Sequence, residues 1–189
     1  MKTSKNGIEL IKKFEGFRSK AYKCLASELY YTIGYGHYGI TDKNATITKD
    51  AAEQLLVDDL VKFEANVNNI NTIGHYNFNQ NEFDALVSFA YNIGSINGLT
   101  NSGKRSRADI RKYMLQYDHA GGKQIEGLTK RRKAELELFN TPIGNDYNES
   151  TTIGELVDDI IAGKLGNNDK RKDNIYNIVQ GLVNIRLSK

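Results

Sequence analysis

Tryptophan is missing from the 189 residues, cysteine and proline occur once each, and histidine occurs three times. A single cysteine cannot close an internal disulfide, which fits synthesis in a reducing cytosol. Without tryptophan, any stacking on a ligand falls to the 11 tyrosines and 7 phenylalanines. His37, His75 and His119 lack the close spacing of zinc ligands and there is no HExxH, so no metal or other cofactor is expected. No run approaches the roughly 18 consecutive apolar residues of a membrane span, so stable membrane insertion is not expected. The opening MKTSKNGIELIKKFEG is basic but has neither a continuous apolar core nor a small-residue cleavage site, and no signal peptide is expected. A net charge of +3 would assist approach to an anionic surface but is too small to argue for nucleic-acid binding.

What is present is the composition of a soluble globular protein, 39% hydrophobic and 26% charged. The length suits one domain with a real core, or a medium domain with a small appendage. Residues 4–15 form an amphipathic helical pattern: Ser4 is a candidate N-cap, Ile8, Ile11 and Phe14 recur at helical spacing, and Gly16 stands just past the end. Glu15 then lies in the last turn, where the helix dipole disfavours a negative charge. A carboxyl kept protonated suits general-acid catalysis; the alternative is a solvated Glu at a helix end. Residues 19–40 carry β signals in Tyr22, Tyr30–Ile33 and Tyr35, broken by Gly34, Gly36 and Gly39. They predict a small antiparallel sheet with a hairpin loop near residues 24–29, which includes Cys24.

Thr48 is placed to cap a helix over 49–69, and Asn79 or Asn81 to start another through Tyr91 that Gly94 stops. The polar segment 95–107 reads as loop. A helix is predicted over 108–117, broken by Gly121-Gly122, and a basic one over 128–139 whose Arg and Glu residues can form spaced ion pairs. Pro142 opens PIGNDYNEST (142–151), poor in bulky apolar residues and rich in turn formers, the best linker in the chain. Residues 152–189 read as two or three short helices, marginal alone without a disulfide. Three parts are therefore expected: a domain over 1–141, a linker over 142–151 and a helical module over 152–189.

Five pieces in order, FEGFRSKAY, TIGYGH, ITKDAAEQLLVDDL, NQNEFDALVSFAYNIG and GLTKRRKAELELF, resemble the phage-type lysozymes, glycoside hydrolase family 24. The resemblance covers residues 7–141. It implies an α+β, lysozyme-like two-lobed fold: a small β-sheet lobe and a helical lobe, joined by a long helix, with the cleft between them. It implies hydrolysis of the β-1,4 bond between N-acetylmuramic acid and N-acetylglucosamine in peptidoglycan. Carried over residue by residue, Glu15 becomes the general acid, Cys24 stands nine positions on where the family has Asp or Cys, and Thr32 opens TIGYGH. The second residue and the Thr would orient or activate a water. A thiol does so only when deprotonated, and its reference pKa lies well above neutral. Seven residues, LASELYY, separate Cys24 from Thr32 where relatives usually have five. Either Cys24 is the partner of Glu15, or Glu28 in the longer loop supplies the charge.

The same resemblance pairs His37 with Asp59 across the lobe boundary and brings Arg131 to Glu15, opposing the dipole. It makes Tyr35, Asn92 and Arg131 candidate substrate-binding residues. The tail, with IIAGKLGNNDKRK and YNIVQGLVN, resembles the Cpl-type cell-wall-binding repeat, a three-helix bundle that binds muropeptide; Asp169, Arg171 and Gln180 are its candidate contacts. Together these imply a phage or prophage endolysin, monomeric, made in the host cytoplasm and dependent on a holin-like pore to reach the wall. Two other classes fit less of the chain: a Cys/His peptidase or amidase built on Cys24 and His37, and a non-catalytic peptidoglycan-binding protein on a lysozyme fold.

Overall fold

A computed structural model describes residues 1–141 and, beyond them, residue 175. The predicted linker and helical module, with Asp169, Arg171 and Gln180, lie outside the described residues. Helix α1 (Lys5–Glu15) starts at Ser4 as expected, but the Ser4 hydroxyl makes no cap. It donates instead to the buried Asp84 carboxylate, which also accepts the Ser4 N–H at 2.9 Å. At the other end Gly16 takes a positive φ of 70° and its N–H donates to the Lys12 carbonyl, terminating the helix directly after Glu15.

Strands β1 (Arg18–Tyr22), β2 (Tyr31–Gly34) and β3 (His37–Ile40) make an antiparallel sheet in that order. Thr32 pairs with Tyr22 on one side and Tyr38 on the other, so the three form a cross-strand row on one face. The predicted loop over 24–29 is the β1–β2 connection. Helix α2 (Lys49–Ile73) follows, 25 residues and roughly 37 Å long at 1.5 Å per residue. Ala52, Leu56, Leu60, Val67 and Ile70 form its buried stripe, and the Thr48 hydroxyl accepts the Ala51 N–H as its cap. The stripe carries the helix four residues past its predicted end.

Helix α3 (Gln80–Ile93) is the centre of the helical lobe. Every residue from Glu82 to Ala90 is buried, as expected of a helix covered on all sides. Asn79 and Glu82 close a reciprocal capping box, and Arg107 donates to the same Glu82 carboxylate at 2.8 Å. Helices α1, α2 and α6 (Glu126–Asn140) pack against α3.

Two expectations fail between α3 and α6. The segment taken as loop contains helix α4 (Asn97–Thr100), with Ile96 and Leu99 fully buried. Its apolar residues three apart are enough to fold one turn into the core, and Arg105 donates to the Gly98 and Leu99 carbonyls at its end. Helix α5 (Arg107–Met114) is followed by β4 (His119–Ala120) and β5 (Lys123–Gln124). Gly121-Gly122, taken only as a helix break, is the two-residue turn of that hairpin.

Candidate active site

Glu15 ends α1 where the sheet, α3 and α6 converge. Its side chain is 23% exposed, while that of Arg131 on α6 is only 5% exposed. Arg131 Nη1 donates to Glu15 Oε1 at 2.6 Å, a charge-assisted bond joining residues 116 apart in sequence. Glu15 Oε2 faces the TIGYGH turn: a Cβ on Gly36 would stand 3.6 Å from it and 3.3 Å from the Tyr91 hydroxyl. Gly36 also has φ of +102°, so both the backbone and the space beside Glu15 call for glycine.

The Tyr91 hydroxyl donates to the Tyr35 carbonyl at 2.9 Å, clamping that turn to α3. Burial, reinforced by the Glu15 and Asp59 carboxylates and opposed by Arg131, pushes Tyr91 above the ordinary tyrosine range, so it stays a donor. A second clamp joins β3 to α2, with His37 Nδ1 2.8 Å from Asp59 Oδ2.

Cys24 is an exposed free thiol. Burial first, then the neighbouring Cys24 thiol, raise the Tyr22 pKa; Glu15 adds to the rise, and Arg18 over the ring opposes it. Tyr22 thus lies within electrostatic reach of both Glu15 and Cys24, at one end of the row that runs through buried Thr32. Glu28 is used within its own loop. Its carboxylate accepts the Cys24 N–H at 2.9 Å, and its carbonyl accepts Lys23 Nζ at 2.5 Å. The β1–β2 connection is thus a turn tied back on Cys24 and Lys23.

Other expected contacts are placed differently. The Tyr35 ring is buried, packed 5.6 Å from Phe17 with Lys12 over it, and offers no face to a sugar. Arg131 is buried against Glu15, Glu135 and the Ser88 carbonyl, which leaves it no surface for substrate. Asn92 Oδ1 accepts from Arg132 at 3.1 Å, leaving its amide nitrogen as the group able to meet a ligand. Tyr22 and Tyr91 were not singled out from the sequence. Tyr22 stands two positions from Cys24, the same-face spacing of a strand, and Tyr91 opens the YNIG piece.

Among the described residues no three His, Cys, Asp or Glu side chains are grouped to hold a metal ion. No helix among them is long and apolar enough to cross a membrane. A shallow depression of about 390 Å³ beside β5 and α6 is lined by Gln124, Glu126, Thr129, Lys130 and Lys133, away from Glu15.

Chemically, the site offers one partly exposed carboxyl, oriented by a buried guanidinium and facing a glycine turn, with Tyr22 in its electrostatic reach and Cys24 and Thr32 next to Tyr22. Known proteins resemble this chain in sequence and in fold. The endolysin of Lactococcus phage c2 is 40% identical over 172 residues, covering 91% of this chain and 75% of its own. The muramidase domain of SpmX from Asticaccaulis excentricus superposes with a TM-score of 0.66 at 34% identity, over 75% of this chain and 99% of that domain. The endolysin from Escherichia coli O157:H7 phage FAHEc1 does so with a TM-score of 0.60 at 34% identity, over 74% and 93%. Residues 12–135, from within α1 to the buried Glu135 within α6, match the phage lysozyme family, and the chain belongs to it.

Proposed function

We propose that this lysozyme is a phage endolysin of glycoside hydrolase family 24 in which Glu15 is the general acid. Its substrate is the β-1,4 bond between N-acetylmuramic acid and N-acetylglucosamine. The observation that carries the assignment is the Glu15–Arg131 bond, which fixes Oε1 and turns Oε2 toward the Gly36 turn. Protonated Glu15 gives its proton to the bridging oxygen as the sugar C1–O bond breaks. Water adds to C1 and loses a proton to a base, so the net reaction consumes one water. Cys24 and Thr32 are the groups assigned to hold that water, and the Asn92 amide is assigned to the sugar. The engagement of Glu28 with its own loop favours Cys24 over Glu28 as the second group.

Residues 142–151 are proposed as a linker and 152–189 as a Cpl-type cell-wall-binding module with Asp169, Arg171 and Gln180 as contacts. Two shares support that division. The SpmX muramidase domain, matched over nearly its whole length, takes up 75% of this chain, the share that residues 1–141 make up; the c2 endolysin takes up 91%. The enzyme would be made in the host cytoplasm and reach the wall as a monomer through a holin-like pore.

Glu15→Gln keeps the shape and removes the transferable proton. Peptidoglycan digested by this variant should show no new reducing ends while its unfolding curve stays close to that of the parent. Undiminished release of reducing ends would refute the assignment. In the parent digest, new amino groups without new reducing ends would indicate a peptidase or amidase, and neither product a binding protein.

A further inference from the structure

Behind Glu15 lies a charged cluster that the hydrolysis as described does not use. Glu135, on α6 one turn beyond Arg131, has no exposed side-chain surface. Its Oε1 accepts from Arg131 Nε at 3.1 Å, Arg132 Nη2 at 2.9 Å and the Ser88 hydroxyl at 2.8 Å. Its Oε2 lies 2.8 Å from Arg132 Nε. Arg131 then extends Nη1 to Glu15 and Nη2 to the Ser88 carbonyl at 3.2 Å, while Arg132 reaches Asn92 Oδ1. One buried carboxylate thus anchors the two guanidiniums that hold the proposed acid and the proposed sugar-binding amide.

We infer that Glu135 is a positioning residue for the Glu15 acid, acting through Arg131; this rests on the assignment of Glu15 above. Two physical features point to it. A guanidinium is planar, so fixing Nε on Glu135 and Nη2 on Ser88 dictates where Nη1 meets Glu15. Moreover, a buried ion cluster is a poor device for stability, because apolar side chains of similar volume usually do as well or better. This one also leaves Arg132 Nη1 without a hydrogen-bond partner among the described residues. Charge gives the cluster a second effect. Arg131 and Arg132 together exceed Glu135 by one positive charge, and Glu15 receives only the part of the Arg131 field that Glu135 does not take. The other groups facing Glu15 are Tyr91 from α3 and Tyr22 from β1, with Asp59 on α2 beyond Tyr91 and Cys24 beyond Tyr22.

The test uses the full chain with Glu135→Gln, Glu135→Asp and Ser88→Ala, measuring kcat and KM for reducing-end release across pH together with thermal unfolding. Glu135→Gln should lower kcat at neutral pH by about ten- to a hundredfold, the scale of a misplaced catalytic group, with KM within about twofold. The alkaline limb of its pH profile should move to lower pH, since the whole Arg131 field then favours ionised Glu15. Glu135→Asp, which restores the charge, should bring that limb back toward the parent position. A folded Glu135→Gln with parental kcat and an unmoved limb overturns the proposal, however far its melting temperature falls. Should Glu135→Gln not fold, Ser88→Ala decides: a fall in kcat of about threefold or more at constant KM supports positioning, and an unchanged kcat overturns it. Full activity in Glu15→Gln would sink the acid assignment itself, whereas an inactive Glu15→Gln beside a parental Glu135→Gln sinks the positioning role alone.

Discussion

The hydroxyl of Tyr91 is one atom whose removal isolates the joint between the two lobes. Tyr91→Phe keeps the ring and its edge contact with Phe63 at 5.3 Å, and loses only the 2.9 Å bond to the Tyr35 carbonyl. Tyr35 is 7% exposed, so water gains little access to the carbonyl left behind. An orphaned buried acceptor costs about 1–3 kcal/mol. A domain of this size loses roughly 2–4 °C of melting temperature per kcal/mol, so a fall of about 2–12 °C is expected in circular dichroism melts. The same bond holds the turn at Gly36, which faces Glu15 Oε2. If about 1 kcal/mol of it is felt in the transition state, kcat falls roughly fivefold, with KM little changed. Steady-state release of reducing ends from purified peptidoglycan measures this. A variant melting within about 1 °C of the parent with the same kcat would show that the turn is held by other contacts.

Two further perturbations address the turn and the start of α1. Gly36→Ala forces a side chain onto a φ of +102° and puts its methyl carbon 3.3 Å from the Tyr91 hydroxyl; a loss of about 1–3 kcal/mol in denaturant melts and reduced kcat are expected, and parental values in both would refute the close-approach reading. Burial opposes the charge on Glu64, but Lys2 and the two hydrogen bonds from Thr3 outweigh it and hold the carboxyl below its usual range. A depressed folded pKa contributes stability that is full above the unfolded value and lost as pH falls through the folded one. Glu64→Gln should therefore be less stable than the parent by about 1–2 kcal/mol near neutral pH, with the gap closing below the ordinary carboxylate range. A gap that stays constant down to strongly acid pH would contradict the linkage.

The local part of this protein was legible from residue order alone. Ser4, Thr48 and Asn79 begin helices, Gly16 and Gly94 end them, and the tyrosine-rich run folds as a sheet, because caps, glycines and periodicity act within a few residues. Glu15 could be placed at a helix end for the same reason. Helix α4 escaped notice because a polar stretch with two apolar residues looks like loop until a core exists to receive Ile96 and Leu99. Tyr35, a candidate substrate-binding residue by resemblance, has its ring in the core, packed against Phe17 and Lys12.

What residue order could not reach is the assembly around Glu15. The Arg131–Glu135 spacing of four announces an ion pair on α6, but not that it is buried, nor that Ser88 and Arg132 share the same carboxylate. Those facts depend on α3 being covered on every side, which puts α6 against it and turns its arginines inward toward α1. The sequence by itself determined the longer helices and the three-stranded sheet, the acidic residue at the end of α1 and the family. Only the tertiary structure decided which charges meet, because an ion pair between residues 116 apart exists only once packing has excluded water and brought both groups to one place.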